Sequence, residues 1–281
     1  MKLTDDHCKE ATNSPLGKKI TYISEYTPEL LFPIPRKGKR DELHVPNPIP
    51  FFGFDTWNAY EVSWLNLKGK PQNAIIRFDI NCHSVNIIES KSFKLYLNSF
   101  NNTRLESMEE LEALLTKDIK RLVEGEVRIT LYTLDDLLNQ NIETFDGTCL
   151  DGLDIEIDSF QVNPGLLTTD NTQIVHETLY SHLLKSNCLV TGQPDWGSIQ
   201  ILYSGTKINH VDLLKYLVSF RNHNEFHEQC VERIFMDIQT FCQPSELTVT
   251  ARYTRRGGLD INPTRSSKPI GPVSNIRMAR Q

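Results

Sequence analysis

Leu95-Tyr-Leu-Asn-Ser-Phe-Asn-Asn102 and Lys215-Tyr-Leu-Val-Ser-Phe-Arg-Asn222 carry one pattern twice, 120 residues apart. A second pair, Glu126-Val-Arg-Ile-Thr130 and Glu246-Leu-Thr-Val-Thr250, keeps the same offset of 120. Two matches at one offset, on matching elements, point to two structurally similar modules. Around the first copy, Trp57–Leu65 and Ala74–Ile80 are rich in strand formers, with a turn at Gly69–Gln72 between them. A helix is expected from about Ser92 to Asn101. A second begins at the capping box Ser107-Met-Glu-Glu110 and places Met108, Leu111, Leu115, Ile119 and Leu122 at helical spacing. Glu126–Thr133 is again a strand, so the order is strand, strand, helix, helix, strand.

The second copy repeats that order. Asp154-Ile-Glu-Ile-Asp158 alternates like a strand, and helices are expected near 210–221 and 224–242, with Val231, Ile234, Phe235, Ile238 and Phe241 on one face. Leu247–Tyr253 closes the copy as a strand. Strands grouped around helix pairs argue for an α+β fold with antiparallel sheets rather than a doubly wound parallel sheet. The expected organisation is an arm over 1–50, one module over 51–140 and another over 149–281, with the linker near 139–148. The arm holds seven of the fourteen prolines, from Pro15 to Pro50, and reads as extended chain. Its basic run Arg36-Lys-Gly-Lys-Arg40 reads as solvated.

Composition excludes several classes. At 281 residues, 39% hydrophobic and 23% charged, the chain is neither disordered nor fibrous. A formal charge of −6 argues against a general nucleic-acid binder. No uncharged apolar run reaches a membrane span, and Met1–Asp6 has no apolar h-region, so the expected location is the cytoplasm. The six cysteines are scattered without a CxxC and read as thiols rather than a disulfide framework.

Three constellations carry chemical content. His223-Asn-Glu-Phe-His227, with Cys230 one turn on, could hold zinc if it lay on one helix face; a zinc-peptidase helix, however, needs Glu where Asn224 stands. Ordinary hydrogen-bonded histidines are the competing reading. Residues 251–281 hold seven basic residues against Asp260 alone, around Gly257-Gly258. Guanidinium groups grip phosphate and glycine admits close backbone approach, so either a phosphate-bearing ligand or a solvated tail fits. In Lys185–Gly197, Cys188 and Asp195 flank a Gly/Pro turn beside an expected strand. A thiolate nucleophile with a nearby proton donor suits addition to an electrophilic carbon, and a buried cysteine with a turn aspartate is the competing reading.

Ile88-Glu-Ser-Lys-Ser-Phe-Lys-Leu-Tyr-Leu-Asn-Ser-Phe100 resembles the signature of the NADPH-dependent 7-cyano-7-deazaguanine reductases, the nitrile reductases of queuosine biosynthesis, in their long two-module form. Ser186–Gly197, Phe220–Arg233 and Ala251–Pro263 are similar to further motifs of that family, in the same order, and the likeness runs from about Phe51 to Arg265. The resemblance implies two tandem tunnelling-fold (T-fold) modules, each an antiparallel sheet backed by two helices, and a homodimer. It implies Cys188 as nucleophile and Asp195 as proton donor. Ile88, Glu89, Ser90, His227 and Glu228 would line the substrate pocket, and Ser90, Lys91, Arg256 and Gly257 would contact NADPH. No metal is expected. The zinc-dependent cyclohydrolases of the same fold use C-x-x-H, whereas Thr191 stands three residues after Cys188. A non-catalytic purine- or pterin-binding module and a direct tRNA-binding factor compete with the reductase reading; salt-dependent RNA binding would mark the latter.

Overall fold

The structure is a computed structural model and describes residues 22–271 and 273–281. Pro15 and Cys8 lie outside the described residues. Two compact units divide the chain, one of residues 1–42, 55–140 and 255–260, the other of 43–54, 141–254 and 261–281.

The first unit runs β1 (Pro33–Pro35), α1 (Arg36–Glu42), β2 (Phe52–Leu65), β3 (Pro71–Asn81), β4 (Asn86–Ile88), α2 (Ser90–Asn98), α3 (Met108–Val123) and β5 (Val127–Tyr132). Strands β5, β3 and β2 are neighbours in sheet order, with β3 antiparallel to β5 from Ile75↔Tyr132 to Ile80↔Val127. Trp57 and Phe78 meet Phe93 edge-on at 5.2 and 5.1 Å, and Leu111, Leu115, Ile119 and Val123 of α3 are fully buried. Each such aliphatic side chain contributes roughly 1.5–3 kcal/mol by leaving water. Ser107 caps α3 as expected, but the Glu110 carboxylate accepts from the N–H of Glu106 rather than closing the box on Ser107.

The second unit runs β6 (Ile142–Glu143), β7 (Thr148–Cys149), β8 (Thr169–Asn187), β9 (Pro194–Ile208), α4 (His210–Ser219), α5 (His227–Phe241), β10 (Glu246–Tyr253), β11 (Leu259–Ser266) and β12 (Arg277–Met278). Its sheet order is β11-β10-β9-β8-β7; β11, β10, β9 and β8 pair antiparallel in turn, and β7 lies parallel to β8. Val231, Ile234, Phe235 and Ile238 are buried as their spacing predicts, whereas Phe241, the last residue of α5, is exposed. Both units are thus antiparallel strands with a helix pair, the α+β tunnelling-fold architecture expected.

The repeated letters have a physical reason. Tyr96 and Tyr216 each donate a hydroxyl to a carboxylate on the following helix, Asp118 at 2.9 Å and Asp237 at 2.6 Å. Ser99 and Ser219 donate back to the carbonyls of Tyr96 and Tyr216, each at 2.6 Å. Phe100 and Phe220 meet those tyrosines edge-on at 5.4 and 5.3 Å.

Three expectations need correction. Residues 154–158 form no strand: Ile155 and Ile157 are half-buried between exposed acids, but nothing pairs with them, and the strand of the second copy is β8. Gly69–Gln72 is not the turn. Its bonds run from Asn66 to Lys70, and β3 begins at Pro71. Nor is the arm simply extended or its basic run solvated. Residues 33–35 pair with β4, and residues 36–42 are helical. Arg36 meets Asp55 at 2.5 Å with both side chains nearly inaccessible, and Arg40 donates to the Cys82 carbonyl at 2.7 Å. Removing one partner of a buried pair strands the other charge. Arg36→Ala should therefore cost about 3–5 kcal/mol in denaturant unfolding, while Arg36→Met with Asp55→Leu should lose less than the single change.

Candidate active site

The site in the second unit is built on the β8–β9 hairpin. Antiparallel register sets Ser186 opposite Asp195 and Asn187 opposite Pro194. The connecting loop closes on itself: the Cys188 N–H donates to the Gln193 carbonyl at 2.8 Å, and the Gly192 N–H donates to the Cys188 carbonyl at 3.0 Å. Gly192 takes φ +65°, which glycine adopts without strain. Cys188 and Asp195 thereby emerge at the same end of one hairpin, each largely buried.

A second segment is docked beside it. The Asn187 N–H donates to the His223 carbonyl at 2.8 Å, and the Glu225 N–H donates to the Asn187 carbonyl at 3.1 Å. This lays residues 223–225 alongside the end of β8 and starts α5 at His227. His227 Nε2 consequently lies 3.3 Å from Asp195 Oδ2. Glu228 follows in the first turn of α5 and is buried. The arrangement rules out His223 and His227 as an i, i+4 pair on one helix, because His223 precedes the helix and sits 3.0 Å from Glu225. Glu225 is itself gripped by Arg233, with contacts at 2.9 and 3.1 Å. Among the described residues no group of three or more His, Cys, Asp or Glu side chains could hold a metal ion.

Two cysteines, Cys188 and Cys230, lie in this region, both buried. Burial, and then the charge of Glu225, pushes the Cys230 thiol up to about 12, so it stays protonated and inert. The Tyr253 hydroxyl lies buried near that thiol, and the Tyr253 ring lies flat on His227, centroids 3.8 Å apart and planes within 3°. Sequence reasoning gives no role to Tyr253 or Gly197. The available signal is the glycine ending one motif and the aromatic near the start of another, which β9 and β10 place opposite each other.

The remaining expected residues lie in the first unit. Ile88 ends β4 with its side chain buried, opposite Pro33. Glu89 is the N-cap of α2, accepting from the N–H groups of Lys91 at 2.8 Å and Ser92 at 2.7 Å. Burial raises its pKa against the opposing pull of those bonds and of Lys94 and Lys91. Ser90 and Lys91 open the helix.

Arg256 and Leu259 bracket a tight turn in which Gly257 and Gly258 take φ +62° and +82°. A Cβ at 257 would stand 3.0 Å from the Lys94 side chain, so glycine keeps that space open beside an ammonium group. Lys94 beside the Gly257 backbone, which follows Arg256 in sequence, is a residue type that grips phosphate. Sequence reasoning misses Lys94, although it lies one helical turn from Lys91. The rest of the basic tail is largely spoken for. Arg265 is buried against Glu232 at 2.8 Å, Arg252 and Arg280 hold backbone and side-chain oxygens, Lys268 pairs with Glu246, and Arg255 covers the Tyr60 ring. The solvated-tail reading is thereby corrected.

The chain is similar to known proteins along most of its length. Residues 22–131 match the family model described as nitrile reductase, 7-cyano-7-deazaguanine-reductase N-term, and residues 194–270 match that of the QueF-like proteins. The two matches define a nitrile-reductase class. An NADPH-dependent 7-cyano-7-deazaguanine reductase of Cupriavidus necator is 60% identical over 272 residues, covering 96% of this chain and 98% of its own. Proteins of the same name from Legionella pneumophila (strain Corby) and Delftia acidovorans are 57% and 56% identical; the alignments cover 96% and 95% of this chain and 96% and 98% of theirs. The chain belongs to the NADPH-dependent 7-cyano-7-deazaguanine reductase family.

The contrast between cysteines is testable by alkylation of the native protein near pH 8. Mass mapping should find exposed Cys149 modified and Cys230 untouched, because a thiol held up to about 12 supplies almost no thiolate there.

Proposed function

We propose that this chain reduces the nitrile of 7-cyano-7-deazaguanine (preQ0) to the aminomethyl group of preQ1 with two NADPH per turnover, in tRNA queuosine biosynthesis. The observation that carries the reading is the His227–Asp195 contact at 3.3 Å on the hairpin that presents Cys188. A thiol, a carboxyl group and an imidazole at one hairpin end supply a nucleophile and a proton source for a weak electrophile.

A nitrile carbon accepts hydride poorly. Cys188 sulfur bonds to that carbon as Asp195 gives a proton to the nitrogen, which makes a thioimide. NADPH, when bound, supplies hydride at two successive stages. After the first, Cys188 leaves as the thiolate and an imine remains; after the second, a proton taken up from solvent completes the aminomethyl product. Residues that keep water out protect the imine from hydrolysis. Asp195 is protonated when nitrile binds, since a carboxylate there would disfavour the thiolate.

Glu89 and Glu228 suit the donor edge of a guanine-like ring, because carboxylates accept from both its ring N–H and its amino group. The two bonds Glu89 already accepts leave lone pairs on both oxygens. Ile88, Ser90 and His227 complete the substrate pocket, and Ser90, Lys91, Arg256 and Gly257 contact NADPH. The working form is a cytoplasmic homodimer with modules over 51–140 and 149–281 and the arm over 1–50; direct nucleic-acid binding is not expected at a charge of −6. Among the described residues, no helix is long and apolar enough to cross a membrane.

The test follows NADPH absorbance with 7-cyano-7-deazaguanine added, for wild type and Cys188→Ala in parallel. Two NADPH should be consumed per nitrile by wild type and none by the variant; folded wild type that consumes none would leave only a binding module. Asp195→Asn keeps the shape but cannot give up a proton, so kcat should fall on the order of 10²- to 10⁴-fold, and an undiminished rate would remove Asp195 as donor. Arg256→Ala should raise KM for NADPH more than KM for the nitrile, and steady-state titration of each substrate checks it.

A further inference from the structure

His227 stands in an unusual setting for an imidazole in a reactive site. The orientation of such a ring is ordinarily set by the hydrogen bond its other nitrogen makes. Here Nε2 faces Asp195, while Nδ1 is buried with no hydrogen-bond partner among the described residues. Something other than a hydrogen bond must fix the ring about its own axis.

The Tyr253 ring is in position to do so. Its centroid is 3.8 Å from that of His227, with the planes 3° apart. Aromatic pairs left to themselves prefer offset or edge-on geometry, and pairs such as Trp57–Phe93 and Tyr216–Phe220 adopt it at 86° and 89°. A flat stack is therefore imposed by what surrounds it.

The surroundings of Tyr253 are visible. Its backbone is pinned in β10 opposite Gly197, its N–H donates to Asn262 Oδ1 at 3.2 Å, and its carbonyl accepts from Gln281 Nε2 at 3.2 Å. A Cβ at position 197 would lie 3.2 Å from Tyr253 Cδ1, so the glycine leaves the ring just the room it occupies. The hydroxyl lies in the interior near Cys230 and Ser186.

We propose that Tyr253 is the positioning residue of the site, its ring fixing the plane of the His227 imidazole so that Nε2 is held against the Asp195 carboxyl group. Tyr253 acts through His227 and does not touch the reacting atoms. The proposal rests on the reading of Asp195 and His227 as the proton source. Misplacing a reacting group by about 1 Å can cost about 10²-fold in rate, which sets the scale of the effect.

The decisive comparison is Tyr253→Phe against Tyr253→Leu, with Gly197→Ala as a third variant. Phenylalanine keeps the stack and loses the hydroxyl; leucine loses the stack. Expected are a kcat within about threefold of wild type for Tyr253→Phe and a fall of about 10²-fold for Tyr253→Leu, with KM for NADPH little changed in both. Proton NMR of the histidine ring supplies a readout independent of turnover. The ring-current upfield shift of the His227 signals should be present in wild type and Tyr253→Phe and absent in Tyr253→Leu.

A Tyr253→Leu enzyme with undiminished kcat, or Tyr253→Phe as damaged as Tyr253→Leu, would overturn the proposal. Should the leucine variant fail to fold, Gly197→Ala decides. Its methyl group must push the ring by a few tenths of an ångström, and an unchanged His227 shift together with unchanged kcat would overturn it equally. A wild type that shows the stack by NMR but consumes no NADPH would instead remove the reading of the reaction.

Discussion

In each unit a tyrosine on one helix of the pair donates its hydroxyl to a carboxylate on the other, buried at Asp118 and half-buried at Asp237, and the placement of the functional side chains follows from that bond. A carboxylate inside a protein is costly unless something donates to it. Asp118 receives Tyr96 and also Tyr26, at 2.6 Å, and Asp237 receives Tyr216. Burial raises the pKa of both helix tyrosines, so each keeps the proton with which it donates. The bond ties the two helices at a defined rotation, and rotation decides what their ends present. The first turn of α2 presents Ser90 and Lys91, with Lys94 one turn on from Lys91; the first turn of α5 presents His227 and Glu228.

On that shared frame the two units have diverged at corresponding points. The hairpin of the first unit turns tightly through Asn66–Lys70, with no cysteine in it, whereas that of the second opens into the Cys188–Gln193 loop. The helix caps diverge in the opposite sense. Asn209 caps α4 by accepting from the N–H groups of Val211 and Asp212, which shows that a neutral amide is sufficient for the task. Glu89 performs the same capping in α2 with a carboxylate whose burial raises its pKa. The helix dipole and the nearby Lys94 and Lys91 favour the charge, and burial opposes it.

The sequence exposes the parts of this that are local. The repeat is visible because Tyr, Ser and Phe each have a fixed task within one turn of helix, and α3 is visible because its apolar residues recur every turn. β8 escapes a reading of the letters because its first five residues, from Thr169 to Gln173, are polar and largely exposed, so no alternation marks its start. Asp154–Asp158 reads as a strand for the converse reason. Its alternation correctly gives the half-buried and exposed sides, but a strand also needs a partner, and periodicity carries no information about partners. Cys188 and Asp195 are legible because they share one hairpin. The Tyr253–His227 stack is not, because 26 residues and a helix separate the two rings in sequence.

Charge shows the same limit more sharply. A count over residues 251–281 finds an excess of cations and cannot say which of them have anions waiting. Arg265 is spent on Glu232 inside the core, and Arg36, in a run that looks equally solvated, is spent on Asp55. Lys94, from a helix far earlier in the chain, comes beside Gly257 only through the fold, where a Cβ would meet its side chain at 3.0 Å. A run of cations in sequence is thus a weak signal until the fold shows what each one meets.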